Sequence, residues 1–355
     1  MRKSLFLIDS GNLSLYNTTM TDIANNHTLI DFSKPDGCPA LTVNDKFIFV
    51  GSCFSDEMAK RLTDDCMDTI VNPFGTIYNP VSILDCLQWC LSDKQFGTND
   101  VLEFAGIYFT PYHSTIFDSC NSNKLLESTN NSLEAYRSQM RQSSVFLITY
   151  GTAVVWEYNG RIMANCHKIP QTNFTRGMLT AQEITQATQD IVSLIRQYNP
   201  NAKIIFTISP VRHKNPDLLT NSYSKALLKV GLTEALSACD GHCLMYFPSF
   251  EIVIDQLRDY AHYTDDGVHL TDHAADYIYD VLLQTCFESD SIDTIHHIRR
   301  LLKIIGHRTT EHNQAYYDNM EKALKELQTL QSKCGTNRIM QLINEVENKI
   351  IAKIL

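Results

Sequence analysis

The sequence contains no Cys-x-x-Cys pair, no excess of basic residues, and no apolar run near the roughly 18 residues that span a bilayer. Each absence removes a class of protein. Without that pair, the 11 cysteines give no zinc ribbon and no thioredoxin-like centre. Their odd number and irregular spacing suit unpaired thiols in a reducing compartment. Cys239, His242 and Cys243 are three candidate ligands on one short segment, which does not amount to a metal site, so no metal is expected. A formal net charge of −10 argues against nucleic acid, whose phosphates need clustered Lys and Arg. The start, Met1 to Asp9, is basic like a signal peptide, but its apolar stretch is too short for one. The expectation is a cytoplasmic protein with no membrane span.

What is present is an ordinary globular balance, 44% hydrophobic and 20% charged over 355 residues, enough for a large core without disulfides. Residues 1–42 are polar and rich in Asn and Thr, with a Pro35-Asp36-Gly37 turn, and read as an irregular arm. Short apolar runs then alternate with amphipathic segments. The runs are Phe47–Val50, Met67–Val71, Val145–Tyr150, Ile204–Ile208 and Cys243–Tyr246. The expected helices are Ser55–Leu62, Pro80–Leu91, Ser132–Arg141, Ala181–Gln197, Asn221–Ala238 and Asp272–Phe287. Continuous apolar strands separated by helices predict a three-layer α/β fold, a doubly wound parallel sheet over residues 43–297. Asn159-Gly160 between Val154–Tyr158 and Arg161–Ala164 predicts a hairpin beside it. From 298 to 355 strand runs cease. Tyr317, Met320, Leu324, Leu327 and Leu330, then Ile339, Leu342, Ile343, Val346, Ile350 and Ile354, recur at helical spacing. They predict a C-terminal helical hairpin that packs on the domain or on a partner, self-association included.

Two segments could carry chemistry. Gly51-Ser52-Cys53-Phe54-Ser55 lies where the first strand gives way to a helix, so a hydroxyl there meets the free amides of a helix N-terminus. Ser is also a common helix cap, and the motif alone does not separate the two roles. Asp266-Gly267-Val268-His269 lies before the last helix of the α/β region. Its three-residue step lets a carboxylate orient an imidazole that takes a proton from a hydroxyl. The alternative is a capped turn with a solvated His.

Together the two segments resemble the SGNH hydrolases. The details resemble the GSCFA family: Gly51-Ser52-Cys53-Phe54, the stretch Asn72-Pro73-Phe74-Gly75-Thr76-Ile77-Tyr78-Asn79-Pro80, Thr149–Ala153, Ala164–Lys168, Ser209–His213, and Arg258-Asp259-Tyr260 leading into Asp266 and His269. The resemblance spans about residues 45–280. It implies Ser52 as nucleophile, His269 as general base and Asp266 as its orienting partner. The oxyanion would be held by the amides of Ser52 and Gly75 and by an Asn side chain. At that last position this chain has Ala153, which cannot donate; loss of one such donor costs about 3–4 kcal/mol of transition-state stabilisation. Asn165 is the candidate replacement. His113, His167, Arg212 and His213 are candidates for substrate binding. Where the family pattern has Asp-Met-x-His-Pro, this chain has Asp266-Gly267-Val268-His269-Leu270.

The function so implied is hydrolysis or transfer of O-acyl esters, on a small molecule or on glycan-borne acetyl groups, with no cofactor. Cys53 is a second candidate nucleophile, expected to point away from the cleft if Ser52 points in. A site decayed to a ligand-binding or scaffold role, with the helical tail as its partner surface, is the non-enzymatic alternative.

Overall fold

The five apolar runs pair side by side into one parallel sheet. Its strands are β1 (Lys46–Gly51), β2 (Asp68–Val71), β3 (Val145–Tyr150), β4 (Lys203–Ile208) and β5 (Leu244–Phe247), in the order β5-β4-β3-β1-β2. The computed structural model describes Ile30, Cys38 and residues 40–212, 217–239, 243–307 and 313–351. The Pro35-Asp36-Gly37 turn and most of the N-terminal arm, His213 and His242 lie outside the described residues.

The connecting helices are α1 (Cys53–Asp64), α2 (Pro80–Leu91), α3 (Ser122–Arg141), α4 (Ala181–Tyr198) and α5 (Leu218–Ala238); α6 (Asp272–Cys286), α7 (Ser289–Ile305), α8 (Gln314–Lys333) and α9 (Asn337–Ile351) follow the sheet. Alternate strand residues enter opposite cores, because side chains of a strand alternate faces. Phe47, Phe49, Leu147, Ile205 and Met245 pack with α1 and with α6 to α9. Ile48, Val50, Phe146, Ile148, Ile204 and Phe206 pack with α2 to α5. This is the expected three-layer doubly wound fold. Its direction of winding reverses between β1 and β3, where a crevice opens at the carboxyl ends of the strands.

Local chemistry sets the element boundaries. Side-chain caps at Ser52, Asn79, Asn121, Thr180, Asp217 and Thr271 start helices α1 to α6. Asn121 starts α3 at Ser122, earlier than the expected Ser132, because a polar Ser/Asn-rich first half hid the helix. The Asn159-Gly160 hairpin forms, with φ of +52° and +74° at its two turn residues. Thr175–Met178 joins it as an edge strand, and Leu102–Phe104 pairs with Ile107–Phe109. Neither was expected, since runs of three or four residues carry too little periodicity to be read.

The two predicted tail helices appear as α8 and α9. The division expected at residue 297 falls inside α7. Tyr317, Met320, Leu327 and Leu330 of α8 and Ile339, Leu342, Ile343 and Val346 of α9 are buried in the same core as α1 and α6. That apolar stripe is therefore covered within the chain, and it is not an open surface for a partner. Polar links reinforce the packing: Asp65, buried at the end of α1, accepts from Arg299 Nε (2.9 Å) and Nη2 (2.8 Å) of α7 and from Tyr279 Oη (2.8 Å) of α6. Among the described residues no helix is long and apolar enough to cross a membrane.

Candidate active site

Ser52 stands at the carboxyl end of β1 for a steric reason. At Gly51 φ is +142°, and an added Cβ would lie 2.1 Å from the carbonyl oxygen of Thr149 on β3, so only glycine lets the chain turn there. The Gly51 amide donates to Asn72 Oδ1 (2.8 Å), whose Nδ2 donates to Asp56 Oδ1 (2.7 Å) in the first turn of α1. Ser55 and Thr149 hydroxyls pair at 2.8 Å and lock α1 onto β3. Ser52 caps α1: its Oγ accepts from Phe54 N at 3.3 Å. The residue is 2% exposed.

Three further segments converge on this turn. Ile77 N donates to Gly51 O (2.9 Å), which holds the loop after β2 against it. Gly151 and Thr152 amides both donate to Tyr78 O, at 2.7 and 2.9 Å. Gly151 is so close that an added Cβ would lie 3.2 Å from Ser52 Cβ. The fourth segment carries the acid–base pair. A tight loop, closed by Thr264 N to His269 O (2.9 Å) and Gly267 N to Thr264 O (2.7 Å), brings His269 Nδ1 within 2.6 Å of Asp266 Oδ2. Gly267 adopts φ +64°, a conformation that favours glycine. Asp266 Oδ1 also accepts from Val268 N (2.7 Å) and His269 N (3.0 Å). The His269 hydrogen bond, followed by these amides and Thr264, holds the Asp266 carboxyl well below the usual range.

His269 lines a small cleft with Cys53, Phe54, Glu57, Val211 and Leu270. The imidazole thus faces the first turn of α1 across one opening, although no hydrogen bond joins it to Ser52. Cys53 also lines that cleft. Burial, then Asp56, pushes its thiol up from the ordinary value.

The remaining expected site residues divide. Gly75 serves as a turn former: its amide donates to Asn72 O at 2.7 Å, and its missing Cβ admits Ser114. The next amide, that of Thr76, has no hydrogen-bond partner among the described residues. Ala153 is buried, with its amide donating to Ser224 Oγ (2.7 Å). Asn165 Oδ1 accepts from His167 N at 3.3 Å and so closes its own loop. That loop is anchored to Pro111 by Ala164 N (2.7 Å). His113 and His167, expected to bind substrate, are both buried and held in local networks. His113 stacks on Phe74 and bonds Thr110 through Nδ1; His167 stacks on Phe109 and pairs with Asp118 at 2.7 Å. Burial, with His167 adding to it, lowers the His113 pKa to about 3. Arg212 lies at the cleft rim over the rings of Tyr263 (4.5 Å) and Tyr260 (5.1 Å).

One buried group was not anticipated. Lys225 of α5 is 2% exposed, and its Nζ donates to Gly151 O (2.7 Å) and Ser209 O (2.6 Å). A signal existed, because Lys225 shares helical spacing with Leu228, Leu232 and Ala235 on the apolar face. Among the described residues no cluster of three His, Cys, Asp or Glu could hold a metal ion.

Residues 46–281 match the GSCFA family. No curated protein matches the sequence. Among solved structures, an acetyl xylan esterase, Est2A, from the rumen bacterium Butyrivibrio proteoclasticus is similar at 14% identity and a TM-score of 0.36, covering 68% of this chain. The match spans 63% of that esterase, less than two thirds of its length. A second solved chain is similar at 12% identity and a TM-score of 0.33, over 69% of this chain and 99% of its own.

Proposed function

The chain belongs to the GSCFA family, and from that premise we propose that it is an SGNH-type serine hydrolase that cleaves short acyl esters through an acyl-Ser52 intermediate. The observation that carries this reading is the Asp266–His269 hydrogen bond of 2.6 Å, facing the first turn after Ser52 across a shared cleft. A carboxylate bonded to Nδ1 fixes the tautomer in which Nε2 accepts a proton. Ser52 Oγ bonds to the acyl carbon, its proton passes to His269, and the carbonyl electron pair moves onto oxygen. Collapse expels the alcohol, which takes the proton from His269, and water or a second hydroxyl then releases the acyl group. Catalytic hydrogen bonds are often long in unliganded enzymes and tighten with substrate, so the unformed Ser52–His269 contact is compatible with this course. The unpartnered Thr76 amide is the oxyanion donor in the place expected of Gly75.

A second reading, Cys53 as nucleophile, has one observation in its favour, the position of Cys53 beside His269 in the cleft. Against it, the raised thiol pKa leaves little thiolate near neutrality. Fluorophosphonate labelling followed by peptide mapping separates the two. A single adduct on Ser52, absent from Ser52→Ala and present in Cys53→Ala, is the expected result. An adduct on Cys53, or none on the folded protein, sinks the serine reading.

A further inference from the structure

Burying an ammonium without a carboxylate is costly, because no opposite charge offsets its lost hydration. Lys225 is such a group: it forms no ion pair among the described residues, and its hydrogen bonds there go to two backbone carbonyls. A neutral side chain would satisfy the packing at less cost. Its partners are also not arbitrary. Gly151 and Ser209 follow the ends of β3 and β4 at the crevice, and Gly151 is the residue pressed against Ser52. Summing the links from Nζ through Gly151 to Ser52 Oγ bounds their separation at about 12 Å, well inside the interior.

We propose that Lys225 is a positioning residue of the Ser52 site: its ammonium clamps the ends of β3 and β4 and supplies the unpaired positive charge beneath Ser52 that answers the oxyanion, where Ala153 offers no side-chain donor. The inference rests on the serine-hydrolase reading. Lys225 acts through Gly151 and through its field, and it touches no substrate. The clamp also aligns the Gly151–Thr152 peptide, whose amide bonds Tyr78 O on the far side. The titratable group that acts on Lys225 from a neighbouring element is Cys53 of α1; Gly151, Ser209 and the ring of Phe250 (5.8 Å) face it with no titratable group. Burial lowers the Lys225 pKa to about 7, so its charge is lost within an accessible pH range.

The test is the rate of Ser52 labelling by a fluorophosphonate from pH 5 to 10, in the full-length protein and in Lys225→Met. A Cys53→Ala background excludes the thiol. The expected profile falls on its alkaline side as Lys225 loses its proton. Lys225→Met should label at least about tenfold more slowly below pH 7 and lose the alkaline fall. An unchanged rate and profile in folded Lys225→Met overturns the proposal. If that variant does not fold, the parent profile decides: a rate that stays level to pH 10 overturns it. A parent protein unlabelled at Ser52 removes the premise instead, and is recognised because no variant is then needed.

Discussion

At the scale of single residues, the candidate site is a set of side chains each held by a local bond. Asp266 is the clearest case, with four donors on its two oxygens. Asp266→Asn keeps the shape of the loop but permits the wrong His269 tautomer. Ser52 labelling in that variant should fall by about 10²–10⁴, with circular dichroism unchanged. The placement of Ser52 at a strand end and of Asp266 beside His269 was legible because glycine at a strand end and a three-residue Asp–His step leave traces in a string. The state of the amides after β2 was not. Whether a Gly75 amide is engaged or a Thr76 amide is open depends on which way one peptide faces, and residue type does not encode that. Lys225 was overlooked for another reason: helical lysines usually reach solvent, and only its register on the apolar face betrays it.

At the scale of elements, the sheet and its main helices were readable because continuous apolar strands and 3.6-residue periods run for many positions. The Leu102–Phe109 hairpin and the Thr175–Met178 strand were not, since three or four residues cannot establish a period. The tail was read as helical, but what it covers was not, because an apolar stripe does not name its partner. The polar contact among Asp65, Arg299 and Tyr279 joins α7 to α1 and α6. Arg299→Ala would leave the Asp65 carboxylate buried beside the Tyr279 hydroxyl alone. The expected cost is about 3–5 kcal/mol, read by urea denaturation. Asp65→Asn with Arg299→Met should recover much of it.

For the whole molecule, buried bases set part of the response to acid. His113 has a folded pKa of about 3, below its unfolded value of 6.5. Between these values the unfolded chain binds a proton that the native state refuses, so stability falls as pH drops from 6.5 towards 3. The contribution is on the order of 5 kcal/mol over that window. His113→Phe should flatten the slope of unfolding free energy against pH there, whatever it does to absolute stability through Thr110. An unchanged slope would mean that other groups govern acid unfolding. Lys225 acts with the same sign at higher pH: its cost is fully present below pH 7 and is relieved as pH rises towards 10.5.

The shared core of α1 with α6 to α9 bears on synthesis as well as on stability. β1 and the serine turn leave the ribosome early, yet the face on which α1 rests is completed only when residues near Val346 have been added. Domains fold as units as the chain emerges. A nascent chain halted before α7 therefore carries the serine motif on a half-covered sheet, and the candidate site is complete only when nearly the whole polypeptide has been translated.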